Sequence, residues 1–346
     1  MLMARIVDWD NHIGRRLRLR DLHVFFTVVQ WGSLARAAAH LRVSQPAVSQ
    51  LIADLEHSLG ARLFDRSSRG VVPTIYGRAL LARGRAAFDE LKQGTRDIEF
   101  LSDPTAGELK IGCPEAIAAI LPPIIESFSR RYPDVILDVQ DEEFDRSATK
   151  LRDRSLDFVV QRLRGRPLVD DHYFDDLNVE ILFDDELVIA AGIQSRWARR
   201  RKIDLAELVD EPWILAAPDS WNHRIMAEAF RARGLSMPKI SLRTFSTHLR
   251  TNMVASGHFI ATFPNSVARF YAERFSLKVL PVDLPVRPWP VAILTLKNRT
   301  LSPVVQLFID HVHASTTSMA ARQGARRRSA TRRNDLTSER LAARWN

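Results

Sequence analysis

The chain of 346 residues has few cysteines and no long hydrophobic run. Its one cysteine, Cys113, excludes a disulfide within the chain and a metal site built from cysteine ligands. A bilayer-spanning helix needs about 20 consecutive apolar residues, and one of the longest apolar runs covers only residues 187–193. No long apolar segment follows the charged N-terminus, as a secretory signal would require. We therefore expect a cytoplasmic protein with no membrane segment.

The sequence also lacks the common motifs of catalysis and of phosphate or metal binding. It contains no G-x-S-x-G, no H-E-x-x-H and no G-x-x-x-x-G-K-[ST]. His311 and His313 are two residues apart and so do not share a helix face, while His248 and His258 are isolated. We expect no enzyme activity, no cofactor and no resident metal.

What is present is the composition of an ordinary globular protein with unevenly placed charge. Hydrophobic residues make up 46% and charged residues 26%, and the length favours about two domains. Residues 1–100 hold 15 Lys/Arg and 10 Asp/Glu, a net charge of +5, whereas residues 101–314 hold 27 and 29, a net charge of −2. Residues 315–346 hold 8 and 2, a net charge of +6. Basic ends favour a polyanion partner, although solubility alone would explain the same charge.

Residues 33–66, SLARAAAHLRVSQPAVSQLIADLEHSLGARLFDR, predict two short helices joined by a tight turn. Ser33 and Ser44 are N-cap candidates, because a serine hydroxyl accepts from a free N–H of the first turn, and Pro46 is tolerated within that turn. The buried face of the second helix is predicted from helical spacing at Val48, Leu51, Ile52 and Leu55. Its other face is polar and free of acids, at Gln45, Ala47, Ser49 and Gln50. That face suits a DNA major groove, but an ordinary two-helix hairpin fits the spacing equally well.

A first helix is predicted from Asp21, as N-cap, to Gln30, and Gly32 ends it. After the second short helix, strands at 61–65 and 71–74 predict a hairpin, here called the wing. Its turn-rich tip lies at residues 67–70, and Thr74 caps the next helix.

A long helix is predicted from residue 75 to about residue 101, and the segment 103–107 is a linker. Apolar and small residues step along it by three and four in alternation, at Leu81, Gly84, Phe88, Leu91, Thr95 and Ile98. Such a stripe predicts a seam for a partner helix, with Leu81, Phe88, Leu91 and Ile98 as the dimerisation residues. Packing against the second domain of the same chain is the alternative.

From residue 108 the sequence alternates strands and helices. The first set has strands at 109–112, 135–140 and 156–160 and helices at 117–131 and 144–154. One or two strands follow at 179–193, and a second set has strands at 213–217, 240–245 and 258–263 with helices between them. Two returning strands and a helix at 303–312 complete the pattern. Alternation of this kind predicts βαβ units and a largely parallel sheet.

Residues 20–74 resemble, nearly residue for residue, the winged helix-turn-helix of LysR-type transcriptional regulators. The matching runs are LRDLHVFFTVVQWGSLARAA, VSQPAVSQLIADLE and LGARLFDRSSRGVVPT. Residues 108–313 resemble the effector domain of that family more loosely, through DEPWILAAPDSW and TLSPVVQLFIDHV. The run 70–112 looks most like the branch named for a galactose-binding-protein regulator.

The resemblance implies an α/β protein of four parts. These are a winged helix-turn-helix at 17–75, a linker and dimerisation helix at 76–103, an effector domain at 108–314 and a basic, disordered tail at 315–346. The effector domain would have the two-lobed fold of type 2 periplasmic binding proteins, with lobe I at about 108–187 and 291–314 and lobe II at about 188–290. The tail would contact DNA non-specifically or only aid solubility.

The implied function is sequence-specific, effector-controlled regulation of transcription. The protein would bind double-stranded DNA as a homodimer or homotetramer, respond to a small-molecule effector and work with RNA polymerase. The alternative is a cytoplasmic solute-binding module whose winged domain makes protein contacts. Bases or the groove wall would meet Gln45, Pro46, Ser49 and Gln50. Phosphate or helix-end contacts would come from Ser33, Arg42, Ser44, Arg66, Arg69 and Thr74.

An effector is expected between the lobes, where strands end and helices begin. The candidates in lobe I are Cys113, Pro114, Glu115, Ala116, Gln161 and Arg162, and those in lobe II are Ser246, Thr247, Phe263 and Pro264. A free Glu115 would repel an anion and accept from hydroxyl groups, while Arg162 would donate. The sequence therefore favours a small hydroxylated, sugar-like effector, with an organic acid as the alternative. Helix capping or core packing would also explain each position.

Overall fold

The computed structural model describes residues 17–67, 70–141, 144–163, 174–218 and 221–317. The expected N-terminal extension, Arg69 and the tail from residue 318 onward therefore lie outside the described residues. The chain divides inside its longest helix, between Lys92 and Gln93, into two compact units.

The first unit is a helical bundle with a hairpin. Its elements are α1 (Leu19–Trp31), α2 (Leu34–Leu41), α3 (Gln45–Leu59), β1 (Phe64–Ser67), β2 (Gly70–Pro73) and α4 (Ile75–Ser102), whose last residues belong to the second unit. The three short helices bury one core, at Val24, Phe25, Val28, Ala37, Ala38, Val48, Ile52 and Leu55. The carboxylate of Glu56 accepts from the N–H groups of Leu63 and Phe64 at 2.7 and 3.1 Å, and so joins α3 to the wing.

Local signals set the helix ends. The hydroxyls of Ser33 and Ser44 accept from the third backbone N–H after each, at 3.4 Å, which confirms both N-caps. Gly60 ends α3 in the left-handed conformation at φ 63°. Gly70 has φ 126°, and a Cβ there would lie 2.7 Å from the carbonyl oxygen of Gly32, so the position requires glycine.

Two predicted boundaries in this unit are wrong. Asp21 is not the N-cap of α1, which begins at Leu19, because the Asp21 carboxylate accepts from the N–H of Arg18 at 3.1 Å as the distal half of a capping box. The first wing strand begins at Phe64 rather than at residue 61, because the N–H groups of Leu63 and Phe64 are held by Glu56.

The second unit contains two α/β lobes. The first stretch is β3 (Ala106–Gly112), α5 (Glu115–Ala118), α6 (Leu121–Arg131), β4 (Asp134–Gln140), α7 (Phe144–Arg152), β5 (Phe158–Arg162) and β6 (Leu177–Asp185). The second is β7 (Leu187–Gly192), β8 (Trp213–Leu215), α8 (Trp221–Ala232), β9 (Ile240–Arg243), α9 (Thr247–Ala255), β10 (Ile260–Pro264), α10 (Asn265–Arg274) and β11 (Leu277–Val279). The chain then returns through β12 (Trp289–Leu296) to a helix, α11, at residues 303–317.

Each lobe has a five-stranded sheet in which four strands run in one direction and one runs against them, so the sheet is largely parallel, as predicted, but mixed. Lobe I has the order β4-β3-β5-β12-β6, in which β12 is antiparallel to both neighbours. Lobe II has the order β11-β7-β10-β8-β9, in which β7 is antiparallel to both neighbours. The physical reason is the connection: β7 and β12 follow crossings between lobes, whereas the parallel strands follow helical βαβ crossings.

The predicted helix at 117–131 is two helices, α5 and α6, separated at residues 119–120. Pro122 and Pro123 lack N–H groups and fit the first turn of a new helix, not the interior of a longer one. At the other end of the domain, α11 continues through residue 317, beyond the expected start of the tail. No helix in the described ranges is both long and apolar enough to cross a membrane.

Candidate functional sites

The start of α3, the second helix of the helix-turn-helix, is an exposed polar surface. Gln45, Pro46 and Gln50 are exposed and Ser49 is half-buried, while Val48 on the opposite face is fully buried. The Gln50 amide donates to Asp54, one turn later, at 2.8 Å. Amides and hydroxyls at a helix end are groups that bind the edges of bases.

Cationic and hydroxyl groups surround this helix end. Arg66 on the wing is exposed, and its Nη1 lies 3.5 Å from the Ser49 hydroxyl. Arg42, in the turn between the helices, is exposed and has φ 55°. The hydroxyls of Ser33 and Ser44 accept from backbone N–H groups, which leaves their protons for an outside acceptor.

Thr74 departs from the predicted phosphate contact. Its hydroxyl donates to the carbonyl of Arg62 at 2.7 Å and accepts from the N–H of Gly77 at 3.1 Å. The predicted cap is confirmed, but the one hydroxyl proton is already used, so the phosphate role is corrected.

The apolar stripe of α4 contains two kinds of position. Leu81 packs on the core of the first unit, and the Phe88 ring meets Phe26 edge-to-face at 5.2 Å. Leu91 and Ile98 are 51% and 65% exposed. Leu81 and Phe88 are half-buried against the chain's own first unit, whereas Leu91 and Ile98 are exposed, and the seam stays a prediction.

In the second unit, Glu115 links the two lobes. It lies at the start of α5 in lobe I, and its two carboxylate oxygens accept from the N–H groups of Thr247 and His248 at 3.2 and 3.0 Å. These are the first two N–H groups of α9 in lobe II. The expectation that Glu115 is free to accept from hydroxyl groups is therefore wrong, because a helix N-terminus already holds its charge.

A second carboxylate, Asp185, stands where β6 passes into lobe II. It accepts from the Arg162 guanidinium at 2.9 Å and from the N–H and hydroxyl of Ser266 at 3.0 and 2.5 Å. Burial lowers the pKa of Arg162, against the opposing effect of Asp185. Arg162 is thus ion-paired rather than free for a ligand, although its Nε has no hydrogen-bond partner among the described residues.

Arg250 on α9 is a functional candidate that was not predicted from sequence. It is 5% exposed and shares a buried helix face with Thr247 and Thr251. Its guanidinium lies 4.8 Å from the centre of the Phe263 ring, and Nη2 lies 3.5 Å from the Thr247 hydroxyl. Burial lowers the pKa of Arg250 to about 10. No carboxylate of a described residue lies within 4.0 Å of it, and its Nε has no partner there.

The remaining predicted cleft residues divide by burial. Cys113 is 1% exposed in the lobe I core, and burial raises the pKa of its thiol. Phe263 is fully buried beneath Arg250. Both side chains pack within the fold, and ligand contact by them stays a prediction. The others are Pro114, half-buried; Gln161 and Pro264, buried; Ser246, which caps α9; and Ala116, whose side chain lies outside the described part of the chain.

A signal for Arg250 was present in the sequence. Thr247, Arg250, Thr251 and Val254 follow helical spacing, and the structure buries all four. A cation within such a stripe indicates a buried polar site. Among the described residues, no group of three or more His, Cys, Asp or Glu side chains is placed to hold a metal ion.

Comparison with known proteins gives two family matches. The model of the bacterial regulatory helix-turn-helix protein, lysR family, matches residues 19–78, and the LysR substrate binding domain matches residues 102–317. The HTH-type transcriptional regulator GbpR of Azospirillum brasilense is 32% identical over 289 residues, or 83% of each chain. The transcriptional dual regulator GltC of Bacillus subtilis is 28% identical over 305 residues, 86% of this chain and 96% of GltC. A full-length OxyR variant from Pseudomonas aeruginosa has the same fold, with TM-score 0.60, 23% identity and coverage of 86% and 94%.

Proposed function

Since this chain belongs to the LysR family of bacterial transcriptional regulators, we propose that it reads DNA with the exposed start of α3 and binds a small polar effector between the two lobes of its second unit. The observation that carries the DNA part is the acid-free, capped start of α3, with Arg66 beside Ser49. The family match also sets aside the alternative of a winged domain that serves only protein contacts.

In this proposal, Gln45, Ser49 and Gln50 meet base edges, and Pro46 lies against the groove wall. Phosphates are bound by Arg42, Arg66 and the hydroxyls of Ser33 and Ser44. Arg69, which was predicted from the sequence alone, is proposed as a further phosphate contact. Thr74 is left as a structural cap, since its proton is used within the chain.

We propose a homodimer that uses the exposed part of α4 around Leu91 and Ile98. Two recognition helices related by a two-fold axis would read half-sites about 34 Å apart or a multiple of that distance. We also propose that the effector domains join dimers into a tetramer. The protein would be located in the cytoplasm and would work with RNA polymerase.

The experiment for the DNA part is selection of duplexes from a random library by the full chain. We expect enrichment of an interrupted, partly palindromic sequence. Failure to enrich any sequence, with a folded protein by circular dichroism, would contradict the proposal.

The effector class follows from the charges of the cleft. Glu115 and Asp185 are both engaged by N–H groups of lobe II, whereas Arg250 lacks an anionic partner among the described residues. This balance supports an organic acid over the sugar-like compound that the sequence favoured. A thermal-shift screen of sugars and small carboxylates tests it, and stabilisation by sugars alone would favour the other class.

A further inference from the structure

We propose that the start of α9 and Arg250 form one anion-binding subsite, which the chain fills with its own Glu115, and that a carboxylate of the effector takes the place of Glu115. The inference rests on the proposed function, in which the effector binds between the lobes. In that cleft, Glu115 would compete with the effector, and Arg250 would be the counter-ion of the effector carboxylate.

The first observation concerns the acceptors that bind the N–H groups in the first turn of α9. The first turn of a helix leaves N–H groups without helical partners. The Ser246 hydroxyl accepts from Leu249 at 3.2 Å, and this leaves the N–H groups of Thr247 and His248. Glu115, from the other lobe, accepts from both, one with each oxygen. The pair of donors therefore matches a carboxylate in shape and charge.

The second observation is Arg250, which is independent of the helix end. A buried cation without a paired anion is costly, and its presence indicates that an anion belongs beside it. Side chains on a helix lean toward its N-terminus, and the contact of Nη2 with the Thr247 hydroxyl places this guanidinium by the start of α9. Glu115 raises the pKa of Arg250 through space but forms no ion pair within 4.0 Å.

Glu115 thus satisfies the backbone donors and leaves the guanidinium without an ion pair. Its carboxylate is tethered to α5 in lobe I, with its own N–H bound to Asp141 at 2.9 Å. A carboxylate that is not tethered can meet both the N–H groups and Arg250. Charge-assisted bonds to two donor types favour an acid over a neutral hydroxylated compound.

The exchange also changes how the lobes are joined. Glu115 and Asp185 each hold the start of a lobe II helix, α9 and α10 respectively. When an effector carboxylate replaces Glu115, the effector and no longer Glu115 contacts the start of α9. The contact of Asp185 with Ser266 and Arg162 remains and serves as the pivot.

The test is chemical rescue of Glu115→Ala in the full chain, with sodium acetate as the probe. Acetate should raise the Tm of this variant saturably, by about 2–4 °C at tens of millimolar. At the same acetate concentration the wild type should not respond, because Glu115 occupies the subsite. Acetamide at equal concentration, with ionic strength balanced by sodium chloride, should have no effect on either protein. Glu126→Ala is the matched control, since it removes an exposed carboxylate of lobe I from a pair with Arg130.

The Arg250 part is tested by adding Arg250→Gln to Glu115→Ala, which should abolish the acetate response. If Glu115→Ala does not fold, Glu115→Gln replaces it, and titration calorimetry should show tighter acetate binding than in the wild type. Equal acetate responses in the wild type, Glu115→Ala and Glu126→Ala would overturn the proposal. So would a folded Glu115→Ala without any response. If the chain selects a DNA sequence but fails the acetate test, the proposed anion subsite is wrong while the proposed DNA-binding function stands.

Discussion

At the scale of single residues, the described part of the second unit contains two buried arginines, of which one has a carboxylate partner and the other has none. Arg299 pairs with the buried carboxylate of Asp157 at 2.9 Å, and the same carboxylate accepts from the N–H of Lys110 at 2.8 Å. Arg250 has no such partner among the described residues and stacks on Phe263 instead. The first arrangement pairs both charges, whereas the second provides the cation of the proposed anion subsite.

This contrast predicts opposite effects of two matched substitutions. Arg250→Met should leave the free energy of unfolding unchanged or raise it by about 1–4 kcal/mol, because it removes an uncompensated buried charge. Arg299→Met should lower it by about 1–3 kcal/mol, because it removes a buried ion pair and leaves the partly exposed Arg96, at 3.2 Å, as the remaining cation on Asp157. Thermal unfolding of the full chain measures both, and an Arg250→Met variant as unstable as Arg299→Met would contradict the account.

Gln45 and Ser49 are the residues predicted to distinguish one DNA sequence from another. Gln45→Ala and Ser49→Ala should each weaken binding to the selected duplex by about 1–3 kcal/mol and barely change binding to random DNA. His57→Ala, exposed at the far end of the same helix, is the control. Fluorescence anisotropy measures the affinities. Equal losses on both duplexes would remove the base-reading role.

At the scale of elements, α4 has two functions along one helix. Gly84 leaves room for the Phe26 ring, since a Cβ there would lie 2.8 Å from it, and Phe88 closes over the same ring. Further along, Leu91, Ile98 and Leu101 are 51%, 65% and 81% exposed. The early part of the stripe builds the winged unit, and the later part is the surface proposed for the dimer.

Two substitutions separate these roles. Ile98→Asp should split the dimer while the Tm of the chain stays near that of the wild type, because Ile98 is exposed in the single chain. Phe88→Asp should lower the Tm by several degrees, because it puts a charge against Phe26. Analytical ultracentrifugation at low concentration, with thermal unfolding, measures both. A dimeric Ile98→Asp would show that another surface joins the subunits.

Elements set by local chemistry could be predicted from the sequence, and those set by distant contacts could not. Ser33 and Ser44 accept from N–H groups three residues later, and Pro46 lies in the first turn of its own helix. The predicted helix starts are present. The antiparallel course of β12 depends on how the chain returns from lobe II. The engagement of Glu115 by residues 132 and 133 positions later has no local signal. Arg250 was missed because an arginine is usually exposed.

At the scale of the whole molecule, the distribution of charge agrees with DNA binding by the first unit and effector binding by the second. The first unit, residues 1–92, holds 14 Lys/Arg and 8 Asp/Glu, a net charge of +6, whereas residues 93–314 of the second unit hold 28 and 31, a net charge of −3. Phosphate binding therefore belongs to the first unit by charge as well as by the motif. The nearly neutral second unit contains the paired carboxylates and arginines of the cleft.

The central claim is that this chain binds a specific DNA sequence through phosphate and base contacts. The most direct measurement is the affinity of the full chain for the selected duplex and for random DNA as salt is raised. We predict a steep fall, with a slope of log affinity against log salt of about −4 or steeper if a dimer contacts at least four or five phosphates. The selected duplex should bind more tightly than random DNA at every salt concentration. A flat salt dependence, or equal affinity for the two duplexes throughout, would contradict the account.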